Sequence, residues 1–217
     1  MKLESIYTEV LKVENAIKNN YTAAAVTLLE TLRAELENEL KHEANARSGK
    51  KAIERAALAI LKAAGNARPV LMKANRNADG LTVSDGYRAI IFNIESAPAL
   101  PENESGANYP NFKDIFTTAA GNARPLTLPT AETLRAFIKV KKAEEAAKPK
   151  NERAAGIIYE LENGQNVSAE FLLTMLEALP NCNARAHSRG GQYPLYFESA
   201  NGRGVLCVMQ KRTGADV

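Results

Sequence analysis

The apolar residues of this chain keep a three-to-four-residue step as far as Pro69 and move toward a two-residue step beyond it, so helix comes first and sheet later. Leu28, Leu29, Leu32, Leu36 and Leu40 fall on one side of a helix predicted over 23–44, with Glu and Arg filling the gaps. Ile53, Ala56, Ala57, Ile60, Leu61 and Ala64 repeat the pattern in a second helix. Gly65-Asn66 stops it, and Pro69 bars its continuation. Residues 3–17 fit a further helix.

Beyond Pro69, Val70–Ala74, Leu81–Val83 and Arg88–Asn93 read as the strands of a meander that turns at Asp79-Gly80 and Asp85-Gly86. Residues 96–111 are rich in Pro, Gly, Asn and Ser without apolar period, which fits a connecting loop, a domain boundary or a lid. A strand is predicted at Leu126–Leu128. Next comes a helix entered at Thr130, with Leu134, Phe137 and Ile138 on its apolar face and Pro149 closing the segment. Ile157–Leu161 reads as a strand, Asn163-Gly164 as a turn, and Ser168 as the cap of a helix carrying Phe171, Leu172, Met175, Leu176 and Leu179. Asn183–Ser188, Leu195–Ser199 and Arg203–Gln210 close the chain as strands, the last two joined at Asn201-Gly202. Val205, Cys207 and Met209 project opposite Leu206 and Val208, so this strand needs cover on both faces. The word GNARP stands at 65–69 and again at 121–125, and Asn-Ala-Arg also occurs at 45–47 and 183–185, which allows a duplicated helix–sheet unit. The pattern predicts an α+β protein of two layers.

Composition removes several functions. With 217 residues, 45% apolar and 24% charged, the chain can build its own core without disulfide or metal. No apolar run approaches the roughly 20 residues of a membrane span, and MKLESIYTEV lacks a signal peptide's apolar stretch, so no membrane partner and a cytoplasmic location are expected. Cys182 and Cys207 form no close-spaced set with His42 or His187, and no metal or other cofactor is expected. Neither cysteine belongs to a recognisable triad, and Ser48-Gly49-Lys50-Lys51 lacks the frame of a phosphate loop. Glu35 and Glu39 read as solvated helix positions, and Asp79 and Asp85 as turn residues. The expectation is a protein that is not an enzyme.

Charge is modest overall, a formal +3, but uneven. Segments 41–62 and 130–153 carry net +4 and +3, and their lysines and arginines suit phosphate neutralisation without base readout. The candidate DNA-binding residues are Lys50, Lys51, Arg55, Arg135, Lys139, Lys141 and Lys142. Glutamates interleave both segments, so charge alone also fits ordinary solvated helices.

Four segments, in order across roughly residues 50–212, add a family resemblance. Asp85-Gly86-Tyr87-Arg88-Ala89 resembles the D-G-[HY]-R strand entrance of the bacterial DNA polymerase processivity clamp. Tyr109-Pro110-Asn111-Phe112-Lys113-Asp114-Ile115 resembles its connection between domains. Asn166–Leu179 resembles the helix near the end of its last domain, and Val208-Met209-Gln210-Lys211-Arg212 its terminal V-M-P-M-R segment. Gln210 replaces that segment's proline, Asn111 replaces the connector's acidic residue, and 217 residues cannot hold the family's three domains.

The resemblance implies a shortened, divergent clamp-like fold whose helices line a hole around DNA, with sheets outside. It implies clamp-like units at 49–116 and 117–217, and the helical N-terminal extension at 1–48 has no clear counterpart in the family. It also implies a surface pocket for apolar peptides of polymerases or other replication proteins. By motif, the pocket residues are Gly86, Tyr87, Arg88, Pro110, Ile115, Val208 and Met209. Tyr87 and Met209 would supply apolar area, Ile115 shape, Arg88 a rim charge and Pro110 a fixed connector. The implied partners are double-stranded DNA and those peptides, with ring, open homo-oligomer and monomer all left open. The alternative is a clamp-derived interaction adaptor that does not encircle DNA. A small-molecule enzyme using Tyr193 or His187 with distant carboxylates has less support.

Overall fold

The structure is a computed structural model that describes residues 10–13, 15, 17–19, 21–65, 68–103, 109–154, 156–190 and 193–209, with backbone alone at 22, 24, 25 and 33–48. The chain separates into two compact units, Met1–Lys51 and Ala52–Val217.

In the first unit the expected helix at 3–17 lies mostly outside the described residues, although 10–13, 15, 17 and 18 are helical. The two helices expected at 23–44 and around 53–64 are instead one, α1, over Thr22–Ala64. The intervening segment is rich in Ala, Glu, Lys and Arg, which propagate helix. A single Gly49 costs only about 1 kcal/mol against Ala and does not interrupt it. Val13 and Leu32 are buried in this unit, whereas Ile17, Tyr21, Val26 and Leu29 are exposed.

In the second unit, the last turns of α1 lead to a three-ten turn over Pro69–Met72. Pro69 sets φ for that turn, and the Leu71 N–H donates to the Arg68 carbonyl at 2.9 Å, so the strand expected at 70–74 starts later. Strands β1 (Asn75–Asn77), β2 (Gly80–Ser84) and β3 (Arg88–Phe92) follow as an antiparallel meander. Helix α2 (Lys113–Ala120), strand β4 (Ala123–Leu126) and helix α3 (Ala131–Ala147) come next. Strands β5 (Ile158–Glu160) and β6 (Asn166–Ser168) make a separate two-stranded sheet. Helix α4 (Ala169–Ala178) and strands β7 (Asn183–His187), β8 (Leu195–Ser199) and β9 (Gly202–Leu206) complete the unit. The Ser168 cap forms as expected, its Oγ accepting from the Phe171 N–H. Residues 104–108 of the expected loop lie outside the described residues.

Seven strands make one sheet in the order β1-β2-β3-β9-β8-β7-β4. Twice, then, a helix leads into a three-stranded meander: the end of α1 into β1–β3, and α4 into β7–β9. The two meanders meet antiparallel at β3 and β9, with Arg88 opposite Leu206 and Phe92 opposite Gly202. The expected units 49–116 and 117–217 both contribute strands to this one sheet. The duplicated GNARP words do not mark this repeat. Residues 66 and 67 of the first are outside the described residues, and the second spans the end of α2 and the start of β4.

Alternation along the strands sorts side chains between two faces. Leu81, Val83, Ile90, Phe92, Leu195, Phe197 and Leu206 join Ile60, Leu134, Leu172 and Met175 in the main core. Ala89, Ile91, Tyr196 and Val205 meet Phe116 and Ala119 of α2 on the other face, so α2 supplies the second cover that β9 requires and the fold exceeds two layers there. Gly204 lets α4 approach the sheet: a Cβ there would lie 2.5 Å from Met175 Cε and 2.8 Å from Leu179 Cδ1.

Both outer edges of the sheet are partly occupied. At β1, Ala74 exchanges backbone hydrogen bonds with the 101–103 segment, and Arg76 forks onto Glu102. At β4, Arg124 pairs with Ala186 and Pro125 with Arg185. Because the Asn122 carbonyl accepts from Ser188, alternation puts Pro125 where a backbone N–H would point outward. The next outward donor, Thr127 N–H, is taken by Glu162 Oε1 at 2.8 Å.

Candidate functional site

The turn between β2 and β3 satisfies itself from its own sequence. Asp85 Oδ1 accepts from the N–H groups of Tyr87 and Arg88, its Oδ2 accepts from Arg88 Nε at 2.9 Å, and Ser84 Oγ donates to the Arg88 carbonyl. A short polar side chain before a glycine favours this geometry. Gly86 has φ +88, and a Cβ there would collide with the guanidinium of Arg68, which lies across the turn and donates from Nη1 to the Asp85 carbonyl.

Arg88 does not form the expected rim charge. Its side chain is 4% exposed, paired with Asp85 and stacked 4.2 Å over the Phe171 ring. Burial pulls its guanidinium below the ordinary value, opposed by the charge and hydrogen bond of Asp85. Arg68 is the cation at the surface instead, with Cζ 5.0 Å from the Tyr87 ring centroid. Tyr87 is 54% exposed and packs against Phe171 at 6.1 Å. Two cations thus bracket two rings. Local charge pattern could not distinguish Arg68 from other arginines; its place beside Pro69 in GNARP was the only signal.

Gly86 and Pro110, far apart in sequence, share a groove of about 460 Å³ with Arg68, Pro69, Val70, Leu71 and Phe112. Tyr87 flanks it through Arg68. The other expected pocket residues separate. Ile115 is exposed on α2 and does not line the groove. Val208 and Met209 line a different hollow of about 670 Å³ with Arg124, Leu126, Gln165 and Asn166. The reason is local: β9 ends at Leu206, Cys207 N–H donates to the Tyr87 carbonyl, and Met209 N–H is then claimed by the Asn166 carbonyl at 2.7 Å.

The basic residues also divide. Lys50 and Lys51 are exposed in the first unit, and Arg55 and Lys139 in the second. Arg135, Lys141 and Lys142 are occupied by Glu177, Glu144 and Glu170. These exposed pairs contribute little to stability but reduce the field available to phosphates.

Burial pushes the Cys182 thiol up to about 11, and burial with the charge of Asp85 raises Cys207, so both favour the neutral thiol. His187 accepts at Nδ1 from the Arg189 N–H and stacks on Tyr193 at 3.9 Å. Among the described residues, no group of three His, Cys, Asp or Glu is arranged to hold a metal ion, and no helix is long and apolar enough to cross a membrane.

Comparison of the chain with protein-family models, curated proteins and solved structures finds no match in any of the three. The class defined here is an α+β protein with a large antiparallel sheet and an apolar groove beside one of its turns.

Proposed function

We propose that this protein is a clamp-like docking protein of the replication machinery, whose groove between Gly86 and Pro110 receives a short apolar peptide. The observation that carries the reading is the convergence of these two residues, from separate clamp-like words, on one groove with aliphatic and aromatic walls. Tyr87 beside it offers a largely exposed ring at little conformational cost. The partly occupied sheet edges and paired α3 cations favour the adaptor form over a DNA-encircling ring.

The second reading, retention on duplex DNA, is supported by exposed Lys50, Lys51, Arg55 and Lys139. Fluorescence anisotropy separates the two. An end-blocked hexapeptide of Ala, Leu and Phe is expected to bind, with affinity reduced at least fivefold by Tyr87→Ala and no loss of folded signal. A 30-base-pair duplex is expected to bind weakly and lose affinity steeply from 50 to 200 mM salt. Tight, salt-resistant duplex binding without peptide binding would reverse the assignment.

A further inference from the structure

We infer that two copies of this chain associate through α1 in antiparallel fashion, the acidic stretch of one α1 lying against the basic stretch of the other; this is independent of the docking role proposed above. Among its described side chains, the first unit leaves most of the large apolar ones uncovered. Val13 and Leu32 are buried there, whereas Val10, Leu11, Ile17, Tyr21, Val26 and Leu29 are 38% to 66% exposed. The second unit has the reverse balance, with a continuous core against its sheet. A unit of about 50 residues that buries so little apolar surface gains too little to offset the ordering of its chain, and uncovered apolar area of this kind marks an association surface.

The helical backbone shows where the open stripe runs. Positions 26, 29, 36 and 40, occupied by Val, Leu, Leu and Leu, fall on one side of α1, and positions 47 and 51, Arg and Lys, continue that side. Charge separates along the same helix. Residues 22–40 hold Glu30, Glu35, Glu37 and Glu39 against Arg33, net −3, and residues 41–51 hold Lys41, Arg47, Lys50 and Lys51 against Glu43, net +3. Glu30, Lys50 and Lys51 are exposed. Parallel copies would set like charges side by side along the seam. Antiparallel copies bring each acidic stretch opposite a basic one, and the aliphatic stems of Arg47 and Lys51 suit the leucines of the facing copy. The seam uses the same patch on both chains, so it closes after two. Acidic charge beside Val26 and Leu29 disfavours an anionic membrane or nucleic acid as the cover. The seam lies in the extension without a clear counterpart among clamps and is separate from any contact between sheet edges.

Sedimentation equilibrium of the full chain from about 1 to 100 μM is expected to show a reversible equilibrium between one chain and two. Leu29→Glu should raise the dissociation constant at least tenfold with the helical circular dichroism signal unchanged, since Leu29 is 49% exposed. A chain carrying Glu30→Lys and Glu35→Lys, and another carrying Lys50→Glu and Lys51→Glu, should each self-associate at least tenfold more weakly than the parent. An equimolar mixture of those two chains should regain the dimer. A parent that stays monomeric, a mass above two chains, or a Leu29→Glu dimer of undiminished strength overturns the inference. So do charge variants that self-associate like the parent or gain nothing on mixing. Peptide binding by a monomeric parent would leave the docking role intact while removing this seam.

Discussion

The two meanders share an architecture and differ at their turns. Between β2 and β3 the connection contains a buried ion pair, a glycine under a guanidinium and an exposed tyrosine. Between β8 and β9 it is tight and drawn back onto the other meander: the Asn201 carbonyl accepts from Asn93 N–H and Ser96 Oγ, and the Ala200 carbonyl accepts from Asn93 Nδ2. The first turn presents groups outward on a rigid base, whereas the second locks the halves together. A repeated scaffold can therefore carry one recognition turn without placing the same demand on its counterpart.

Substitutions at the two turns and the seam between them test that division. Arg88→Ala should have the largest effect, about 3–5 kcal/mol in urea unfolding, because it leaves buried Asp85 unpaired. A loss below 1 kcal/mol would mean the first turn does not depend on its internal pair. Gly204→Val forces β9 against Met175 and Leu179 and should cost about 1–3 kcal/mol. An unchanged midpoint would show that α4 can withdraw freely. Asn93→Ala removes the side-chain link to Ala200 and should cost about 0.5–1 kcal/mol, read as a small shift in the same midpoint. Tyr87→Ala should stay within about 0.5 kcal/mol of the parent while weakening peptide binding. A larger stability loss would make Tyr87 a structural member of the turn.

The local elements were legible where sequence chemistry acts locally. Leu81–Val83, the Asp85-Gly86 turn, the Ser168 cap and the Asn201-Gly202 hairpin rest on alternation, capping and turn residues within a few positions. The continuity of α1 has no apolar signature, because the leucine step lapses between Leu40 and Ile53 while the Ala, Glu, Lys and Arg of that stretch still propagate helix, and β4 starts at Ala123 because pairing with β7 fixes its register. The joining of β3 to β9 has no local signature; the two meanders only reveal themselves as partners in space. Two of the groove's seven residues were readable for the same reason. Gly86 and Pro110 belong to recognisable words. Burial of Arg88, however, depends on Phe171, and the diversion of Met209 depends on Asn166.

The seam at β3 and β9 also governs how a nascent chain reaches its fold. A ribosome releases β3 more than a hundred residues before it supplies β9, so the middle of the future sheet waits as an open apolar border until β9 has emerged. Late closure exposes Ile90 and Phe92 to neighbouring chains during synthesis, and a truncation ahead of Gly202 would leave that border permanently uncovered.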